Sequence, residues 1–344
     1  MPTLKEIAER AGVSIGTVDR VIHNRGRVSR KTLENVRRII EQTDYKPNMF
    51  AKNLKLSKYF IFGVVMPKPS DDDEYWALPI NGINRAQQEL SGHKVDVKFF
   101  FYDKYSEKSL NDTIPKILGT KLDGLLMVPA LPGPFEKFAA KIPKDVPCVF
   151  FDSFIPNLTY ITYIGQDSFR SGFLAGHLMH ILIKEPGYLA VIKVLPEGYH
   201  ITDRVNGFLS YFEKYPDYRL RVYDLDVSKG SSILDKNVKK IFDENPTPCG
   251  IFVSNAYTHL AAEYVQANGL KGKVHIIGYD PIEKNIKYLK NDVIDFLISQ
   301  QSEKQGYEGI YSLYRKVVLN FPSPKKVFMQ LDIITKENVA YYHS

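Results

Sequence analysis

Apolar positions follow a helical spacing in the first 58 residues of the chain. The run Leu4–Ala11 has apolar residues at positions i, i+3, i+4 and i+7, which places them on one face of a short helix. Two more helices are predicted in the same way, with inward residues Val18, Val21 and Ile22, then Leu33, Val36 and Ile40. Ser14 and Ser29 are suitable N-caps for these two helices. The sequence therefore begins with a predicted bundle of three helices.

From about residue 60 onward, apolar runs of strand length alternate with amphipathic segments of helix length. The predicted strands are 60–66, 95–102, 124–129, 148–152, 189–194, 220–225, 250–254, 274–279 and 294–299. Predicted helices include 80–90, 169–183, 202–214, 233–244 and 259–268. Strands that alternate with such helices are typical of βαβ units. The sequence therefore predicts an α/β body with two doubly wound parallel sheets and a cleft between two lobes.

The net charge of +7 comes entirely from the helical segment. Residues 1–58 hold 13 Lys and Arg against 6 Asp and Glu, whereas the rest of the chain holds 33 of each sign. A small basic module attached to a neutral body is typical of a nucleic-acid-binding domain joined to a second domain. Charge alone leaves a basic tail without a partner as the alternative.

The spacing of small residues in the basic module is that of a helix-turn-helix. Ala8 and Gly12 allow two helices to cross and the chain to reverse, and Val18 packs beneath them. The second helix of such a motif enters the major groove of DNA. Its outward side would carry Ile15, Gly16, Thr17, Asp19 and Arg20. The alternative is a three-helix bundle that contacts protein.

Four basic or polar side chains on or near this helix have the chemistry to bind DNA. Arg20 would reach a guanine edge or a phosphate, and Asn24 and Arg25 would hold phosphates, as would Thr17. Asp19 would pair with a neighbouring arginine or accept from a cytosine amino group.

The runs Thr3–Ser14, Thr17-Val18, Arg20-Val21, Val28-Ser29 and Tyr45–Asn48 resemble the head of the lactose-repressor/galactose-repressor (LacI/GalR) family. The resemblance covers about 55 residues without a gap. It implies a ligand-responsive transcriptional regulator that acts as a repressor. The regulator would bind a palindromic operator in double-stranded DNA as a homodimer. The operator-binding set that it implies is Thr3, Ser14, Ile15, Gly16, Thr17, Asp19, Arg20, Asn24, Arg25, Ser29, Asn48, Ala51 and Leu54.

A hinge helix follows the Tyr-x-Pro-Asn run in that family, and here it would extend from Asn48 to Leu56. The resemblance implies that Leu54 enters the minor groove as an apolar wedge, which would unstack one base step and bend the duplex. Packing at the domain junction is the alternative role for Leu54. The chain departs from the family at Asp19, where Ser is usual, and at Gly16, which lacks a base-reading side chain. The operator sequence therefore does not transfer from any relative.

Polar residues follow several predicted strands at their carboxyl ends, where ligands bind in open α/β sheets. They are Asp152, Ser153, Asn255, Asp280 and Gln300, and Arg204 begins the helix after the 189–194 strand. Each alone is also typical of a turn or a helix N-cap. Their equivalent topological positions favour a shared binding site.

The body resembles the periplasmic-binding-protein-like type I sensor domain that the same family carries. Its sugar-binding members have Asp, Arg, Asn, Asp and Gln at these positions, with Gly six residues after the Gln, as Gly306 follows Gln300. The resemblance implies that Asp152, Arg204, Asn255, Asp280 and Gln300 line a pocket. Carboxylates, amides and a guanidinium fit the hydroxyls of a sugar or sugar derivative.

Three further residues complete the predicted ligand site, each with an alternative role. Asp167 matches a cleft position of the family or caps the next helix. Tyr75 and Trp76 would stack on a sugar ring or pack in the core.

The predicted organisation is a helix-turn-helix domain at 1–47, a hinge at 48–58 and a sensor at 59–344. The first lobe is predicted at 59–164 and 297–325, and the second at 165–296 and 326–344. The sequence lacks the phosphate-loop, nucleophile-elbow and zinc-protease motifs, so we expect no enzyme activity, no metal and no cofactor. It also lacks a signal-peptide pattern and a membrane-length apolar stretch, so we expect a cytoplasmic protein. The rival hypothesis is a solute-sensing or enzymatic protein whose helical bundle contacts protein.

Overall fold

The computed structural model of the protein describes residues 3–22, 26, 28–43, 58–70, 74–156, 158–195, 198–229, 231–243 and 247–342. Contacts between residues divide the chain into two compact units, 1–57 and 58–344. We call the first unit the head and the second the sensor.

The described part of the head contains three helices, α1 (Leu4–Ala11), α2 (Ile15–Ile22) and α3 (Arg30–Gln42). Thr3 begins α1 with a capping box, in which its hydroxyl accepts the Glu6 amide and the Glu6 carboxylate accepts the Thr3 amide. Gly12 ends α1 at φ +65°, a left-handed conformation that favours glycine. The helices pack around Ile7, Ala8, Val18, Val21, Val36 and Ile39. The helical head predicted from the apolar spacing is therefore confirmed.

Twelve strands lie in the described part of the sensor. They are β1 (Phe60–Pro67), β2 (Val95–Tyr102), β3 (Gly124–Met127), β4 (Cys148–Phe151), β5 (Thr162–Gly165), β6 (Tyr188–Leu195), β7 (Arg219–Asp226), β8 (Gly250–Val253), β9 (His275–Tyr279), β10 (Phe296–Ser299), β11 (Lys326–Phe328) and β12 (Asp332–Ile334). The described α-helices are α4 (Ala77–Leu90), α5 (Glu107–Leu118), α6 (Pro132–Ala139), α7 (Ser168–Leu182), α8 (Tyr199–Phe212), α9 (Ser231–Asp243), α10 (Thr258–Ala267), α11 (Glu283–Lys290) and α12 (Ser302–Val317).

The strands form two six-stranded sheets with the same connectivity. The first sheet has the order β11-β5-β4-β3-β1-β2 and the second the order β12-β10-β9-β8-β6-β7. Among the described strands, every pairing is parallel except that of β12 with β10. Each strand of one sheet thus has a counterpart in the other, such as β4 with β9. The predicted α/β class with two parallel-dominated sheets is confirmed.

Strands that are apolar on both faces require helices on both sides of a sheet. Along β6, Leu189 and Val191 join a core cluster with residues of α7 and α8. The alternate residues Ala190 and Ile192 join a second cluster with residues of α10 and α11. The burial of both faces leaves the strand ends as the exposed edge where polar side chains gather.

Three short strands, β5, β11 and β12, were not predicted from the sequence, and the sheet positions of β11 and β10 correct the predicted lobe boundaries. The strand β11 pairs with β5 in the first sheet, although 326–344 was assigned to the second lobe. The strand β10 lies in the second sheet, although the first lobe was predicted to resume at residue 297. The strands β11 and β12 have three residues each, too few to show a hydrophobic alternation. In the described residues, the chain therefore crosses between lobes after β5, β10 and β11.

None of the helices in the described ranges is long and apolar enough to cross a bilayer.

Candidate functional site

A cavity lies between the two lobes of the sensor, at the carboxyl ends of strands from both sheets. The volume of this cavity is about 70 Å³. Its lining residues are Tyr75, Trp76, Lys104, Ala130, Asp152, Gly198, His200, Ile201, Arg204, Asn255, Ala256, Tyr257, Asp280 and Gln300. Ligands of open α/β sheets bind at this edge, so the cavity is the candidate ligand site.

Asp152 and Asp280 occupy equivalent positions in the two lobes. Asp152 follows β4 and Asp280 follows β9, the counterpart strand. Both have a left-handed backbone, with φ of 64° and 62°, which Asp adopts more readily than most residues. The Asp152 amide donates to the Ile164 carbonyl at 3.0 Å, and the Asp280 amide donates to the Ile298 carbonyl at 3.1 Å. The repeated fold therefore brings one carboxylate from each lobe to the same cavity.

In the second lobe, Arg204 organises a hydrogen-bond network and is 1% exposed. Its Nη1 donates to the Ser254 carbonyl at 2.9 Å, and its Nη2 donates to Gln300 Oε1 at 2.5 Å. Gln300 Nε2 donates in turn to Asp280 Oδ2 at 2.7 Å. The guanidinium carbon lies 3.9 Å from the centroid of the Tyr279 ring, a cation–π contact. These contacts fix the plane of the guanidinium at the cavity wall.

The helix α7 supports this network because residue 172 is glycine. A Cβ at Gly172 would lie 1.9 Å from the carbonyl oxygen of Arg204, so only glycine allows α7 and α8 to approach so closely. The Ser171 and Tyr279 hydroxyls are hydrogen-bonded at 2.6 Å. The crossing of α7 and α8 therefore sets the position of Arg204 and of the ring that it contacts.

Gln305 on α12 links the cavity residues of the two lobes through their backbones. Its Oε1 accepts the Asp152 amide at 2.8 Å, and its Nε2 donates to the Gln300 carbonyl at 2.8 Å. Gln166 Nε2 makes a similar link to the Ser299 carbonyl at 2.6 Å. Both glutamines are buried, so these links tie the site to the crossings between the lobes.

Burial raises the pKa of Asp280 to about 7. The positive charge of Arg204 and the hydrogen bond from Gln300 oppose this rise, and the Asp152 carboxylate adds to it. The Asp280 carboxyl group therefore exchanges its proton near neutral pH. A ligand that donates hydrogen bonds to the carboxylate would favour its ionised form.

In the first lobe, Asp152 accepts a hydrogen bond from the Tyr75 hydroxyl. Burial, together with the nearby Asp152 and Asp280 carboxylates, raises the pKa of Tyr75 well above its usual range, so the phenol stays neutral. Trp76 packs edge-on against Tyr75 with ring centroids 4.9 Å apart. The first lobe therefore places an uncharged aromatic surface beside its carboxylate.

Three buried polar atoms of cavity-lining residues have no hydrogen-bond partner within the described part of the chain. They are Trp76 Nε1, His200 Nδ1 and Arg204 Nε. Burial and the cations Arg204 and Lys104 hold the pKa of His200 well below its usual range, so the imidazole is neutral. The indole and guanidinium nitrogens only donate, whereas a neutral imidazole nitrogen donates or accepts according to its tautomer. A polar ligand in the cavity would satisfy these atoms.

Side-chain contacts between the lobes flank the cavity. The Oη atom of Tyr105, which follows β2, lies 3.0 Å from the Oη atom of Tyr257, which follows β8. Lys104 Nζ lies 5.4 Å from the centroid of the Tyr257 ring. Glu74 Oε1 and Lys284 Nζ form an ion pair at 3.7 Å. These contacts join the first lobe to the second at the rim of the cavity.

Seven of the nine ligand-site residues expected from the sequence line the cavity, namely Tyr75, Trp76, Asp152, Arg204, Asn255, Asp280 and Gln300. Ser153 is buried behind the lining, where its Oγ lies 3.3 Å from the position that a Cβ on Gly198 would take. Asp167 lies outside the lining and caps α7, because its Oδ1 accepts the Arg170 amide at 3.0 Å. The expected N-cap role of Asp167 is therefore present in the structure, and its role in ligand binding stays a prediction.

The sequence analysis missed seven residues at the cavity, Lys104, Ala130, Gly198, His200, Ile201, Ala256 and Tyr257. Lys104 and Ala130 follow the ends of β2 and β3, so the strand-end rule would have found them. His200 and Ile201 lie in the first turn of α8, which was predicted to begin at residue 202. Tyr257 comes two residues after Asn255, and its place at the cavity depends on the turn between β8 and α10.

The helix α2 presents the face that the sequence analysis assigned to DNA. Ile15 is 49% exposed, and Gly16 and Arg20 are exposed as well. Thr17 and Asp19 are half-buried on the same helix. The nearest atom to a Cβ at residue 16 would lie 3.8 Å away, so this face has room for a partner.

Three of the four hydroxyl residues of the expected DNA set, Thr3, Ser14 and Ser29, are helix N-caps. Besides Thr3, the Ser14 hydroxyl accepts the Thr17 amide and the Ser29 hydroxyl accepts the Thr32 amide, both at 3.2 Å. Helix N-termini attract phosphate groups, so a cap position is compatible with a contact to the DNA backbone. The remaining members of that set, Asn24, Arg25, Asn48, Ala51 and Leu54, lie outside the described residues.

Two family matches divide the chain at the same place as the structure. Residues 3–48 match the lacI family of bacterial regulatory proteins, and residues 62–318 match the periplasmic binding protein domain. The chain belongs to the periplasmic binding protein domain family. Together with its lacI-type head, this makes it a LacI-type, ligand-responsive, DNA-binding transcriptional regulator.

Similar proteins support both halves of this LacI-type regulator. The sucrose operon repressor of Lactococcus lactis is 26% identical over 329 residues, which cover 92% of this chain and 97% of the relative. A crystal structure described as a LacI transcriptional regulator from Bacteroides fragilis has a TM-score of 0.78 at 25% identity and covers 83% of this chain and 100% of its own. A solute binding protein from Burkholderia graminis, in complex with D-arabinose, shares the fold with a TM-score of 0.76 at 17% identity, covering 84% of this chain and 100% of its own.

The lacI family and the sucrose operon repressor are regulatory. Within the ranges that the structure describes, no three His, Cys, Asp or Glu side chains form a group that could hold a metal ion.

Proposed function

We propose that this LacI-type regulator is a sugar-responsive repressor. A homodimer of the chain binds a palindromic operator through two heads, and a small polar effector binds between the lobes of each sensor. The repressor acts in the cytoplasm and leaves its effector chemically unchanged. The similarity to a sucrose operon repressor over nearly the whole chain supports this proposal.

The observation that carries the sugar proposal is the mixture of donors and acceptors at the cavity. Asp152 and Asp280 supply acceptors, whereas Arg204 and Trp76 supply donors. A sugar hydroxyl both donates and accepts, so adjacent hydroxyls satisfy such a mixed set. The aromatic rings of Tyr75 and Trp76 add apolar surface suited to the C–H face of a sugar ring.

Control of DNA binding requires that the effector bind one state of the regulator better than another. A coupling free energy of about 1–3 kcal/mol changes operator affinity roughly 5- to 150-fold. The contacts that join the lobes, Tyr105 with Tyr257 and Gln305 with both strand ends, are the elements whose geometry would differ between an open and a closed cleft.

Capture of genomic DNA by the full-length protein tests the proposed function. The sugar-free protein should retain fragments that share a palindromic motif, and a binding sugar should change that retention. Arg20→Ala on the exposed face of α2 should weaken retention, whereas Lys271→Ala, which removes a positive charge from the sensor, should not. Binding should also weaken steeply with salt, because phosphate contacts release counterions. Retention without any shared motif, or equal retention by both variants, would contradict the proposal.

The non-enzymatic part of the proposal has its own test. A bound sugar that is recovered chemically unchanged after long incubation is expected. Formation of a product would instead favour the rival hypothesis of an enzymatic sensor.

A further inference from the structure

We infer that Asn285 is a positioning residue of the effector site, although it does not line the cavity. Its side-chain amide holds the two turns of the second lobe that carry Asp280 and Tyr257. It thereby couples the carboxylate at the cavity to the contact of Tyr257 with Tyr105 of the first lobe. This inference rests on the proposed function, because it concerns two features that the response to an effector needs.

The side chain of Asn285, the third residue of α11, contacts the backbone of both turns and has no exposed surface. Its Nδ2 donates to the Ala256 carbonyl at 2.8 Å and to the Tyr279 and Asp280 carbonyls at 2.9 Å each. Its Oδ1 accepts the amide of His259, in the first turn of α10, at 2.8 Å. The first amides of a helix have no partner within it, so this contact also stabilises the start of α10.

Hydrogen bonds fix the backbone of Asp280 on both sides. Its amide donates to the Ile298 carbonyl at 3.1 Å, and its carbonyl accepts from Asn285. A non-glycine residue with φ of 62° keeps that conformation only where its surroundings hold it. Without Asn285, the carbonyl of Asp280 would lose this donor, and the carboxylate would lose its fixed position at the cavity.

The turn after β8 carries the contact that joins the lobes at the rim. Tyr257 directly follows Ala256, whose carbonyl accepts from Asn285. His259, whose amide donates to Asn285, comes two residues after Tyr257. Asn285 therefore contacts the backbone on both sides of Tyr257. The Oη atom of Tyr257 lies 3.0 Å from that of Tyr105, so the position of this contact depends on Asn285.

Thr258 makes a second link between the two turns and should allow variants of Asn285 to fold. Its Oγ1 accepts the Tyr279 amide at 3.2 Å and donates to the Asn255 carbonyl at 3.0 Å. Neither hydrogen bond involves Asp280. Loss of Asn285 should therefore leave the turns together but release the aspartate and the tyrosine that act at the cavity.

Quenching of Trp76 fluorescence by acrylamide tests the inference without any ligand. Trp76 is the only tryptophan of the chain, lines the cavity from the first lobe and is 5% exposed. Access to its ring therefore depends on the contacts between the lobes. In the full-length protein, Asn285→Ala should raise the quenching constant at least about twofold, because the contact of Tyr257 with the first lobe loosens.

Asn338→Ala is the matched control. Asn338 also accepts a backbone amide, that of Thr335 at 2.8 Å, and donates to a backbone carbonyl, that of Ile333 at 3.0 Å. It follows β12 and does not line the cavity, so its variant should lose stability without a change in quenching. If Asn285→Ala also lowers only the thermal midpoint, Asn285 is a structural residue and the inference is overturned.

A double variant tests whether Asn285 acts through Tyr257. Tyr105→Phe removes one hydroxyl of the contact between the lobes and leaves the ring in place. It should raise quenching in the wild-type background and add little to Asn285→Ala, in which the same contact is already loosened. Additive increases would overturn the coupling of Asn285 to the rim. Asn285→Ser, which is too short to contact both turns, replaces Asn285→Ala if that variant does not fold.

Titration calorimetry tests the effect of Asn285 on the carboxylate, with D-arabinose, D-ribose and sucrose as probes. Each of these sugars that the wild type binds should bind at least roughly tenfold more weakly to Asn285→Ala. The loss should be smaller in an Asp280→Asn background, because both changes act on the same contact. Wild-type sugar affinity in Asn285→Ala would overturn the inference and leave the sugar-responsive repressor standing. The quenching comparison needs no sugar, so it tests the inference even if the sugar proposal fails.

Discussion

The two lobes of the sensor place an aspartate at the same point of the same fold but give it different partners. Asp152 and Asp280 share a left-handed backbone conformation, and the backbone amide of each donates a hydrogen bond to the neighbouring strand. Asp152 accepts from the neutral phenol of Tyr75, whereas Asp280 belongs to a network that contains the buried guanidinium of Arg204. The fold therefore determines the position of each carboxylate. The segments that follow β1 and β6, which carry Tyr75 and Arg204, determine the electrostatic surroundings of the two carboxylates.

This difference assigns unequal roles to the lobes. The second lobe holds its polar groups in a rigid network, because Arg204, Gln300 and Asp280 hydrogen-bond in a chain. Hydrogen bonds to charged groups contribute about 1.5–3 kcal/mol, roughly twice as much as neutral ones. We therefore expect the second lobe to supply most of the binding free energy and the first lobe to supply aromatic surface and closure.

The largest effect is expected for Arg204→Ala. The variant loses the donor to the effector and leaves the Gln300 and Ser254 oxygens without their present donor, at about 1–3 kcal/mol each. Sugar affinity measured by titration calorimetry should fall by at least roughly tenfold. Arg204→Lys keeps the charge but loses the planar fork, so it should not restore wild-type affinity. Wild-type sugar affinity in either variant would show that another residue makes the main contact with the sugar.

A paired substitution compares the two aspartates directly. Asp280→Asn and Asp152→Asn each remove one carboxylate with little change in volume. Asp280→Asn should weaken sugar binding about tenfold, because Arg204 loses its counter-charge, and Asp152→Asn should weaken it only a few-fold. Equal losses would show that the lobes contribute alike.

The pH dependence gives a further distinction between the lobes. The pKa of Asp280 is raised to about 7 from an ordinary value near 4, so the folded protein binds this proton more tightly than the unfolded chain does. The contribution of this group to stability is therefore present at low pH and is lost as the pH rises from about 4 to about 7.

A sugar that donates to Asp280 should release the proton on binding. Its affinity should then rise as the pH increases from 6 to 8, by less than tenfold per pH unit. Calorimetry at pH 7 in two buffers of different ionisation enthalpy should detect the released proton in the wild type. The proton release should disappear in Asp280→Asn and persist in Asp152→Asn. Proton release in both variants would show that the proton comes from another group.

The smallest effect is expected for Tyr75→Phe in the first lobe. This change removes one hydroxyl that donates to Asp152 and leaves the ring in place. Sugar affinity should change by only a few-fold, and the thermal midpoint should fall by a few degrees, as for the loss of about 1 kcal/mol. A loss as large as that of Arg204→Ala would remove the asymmetry between the lobes.

The buried apolar strands made much of this site predictable from the sequence. Asp152, Asn255 and Asp280 each come after a strand whose residues are buried, apart from the half-buried His275 at the start of β9, so the end of the apolar run marked the edge where ligands bind. Asp167 shows the limit of that signal, because an aspartate before a helix produces the same pattern whether it caps the helix or binds a ligand.

The remaining features depend on contacts between distant parts of the chain. The strands β11 and β12 have three residues each, and their pairing with β5 and β10 is set by the crossings between lobes. His200 reaches the cavity from the first turn of α8, and Tyr257 reaches it from the turn that precedes α10. Gln305 lies within a helix, where nothing in the local pattern indicates that it bonds to Asp152 and Gln300 at once.

The most direct test of the central claim is the operator affinity of the full-length protein with and without a sugar that binds its cavity. The wild type should change its operator affinity roughly 5- to 150-fold when the sugar is added. Arg204→Ala should bind the operator like the sugar-free wild type and show no change at the same sugar concentration. A variant that responds like the wild type, or a wild type whose operator affinity ignores a bound sugar, would contradict control of DNA binding from this cleft.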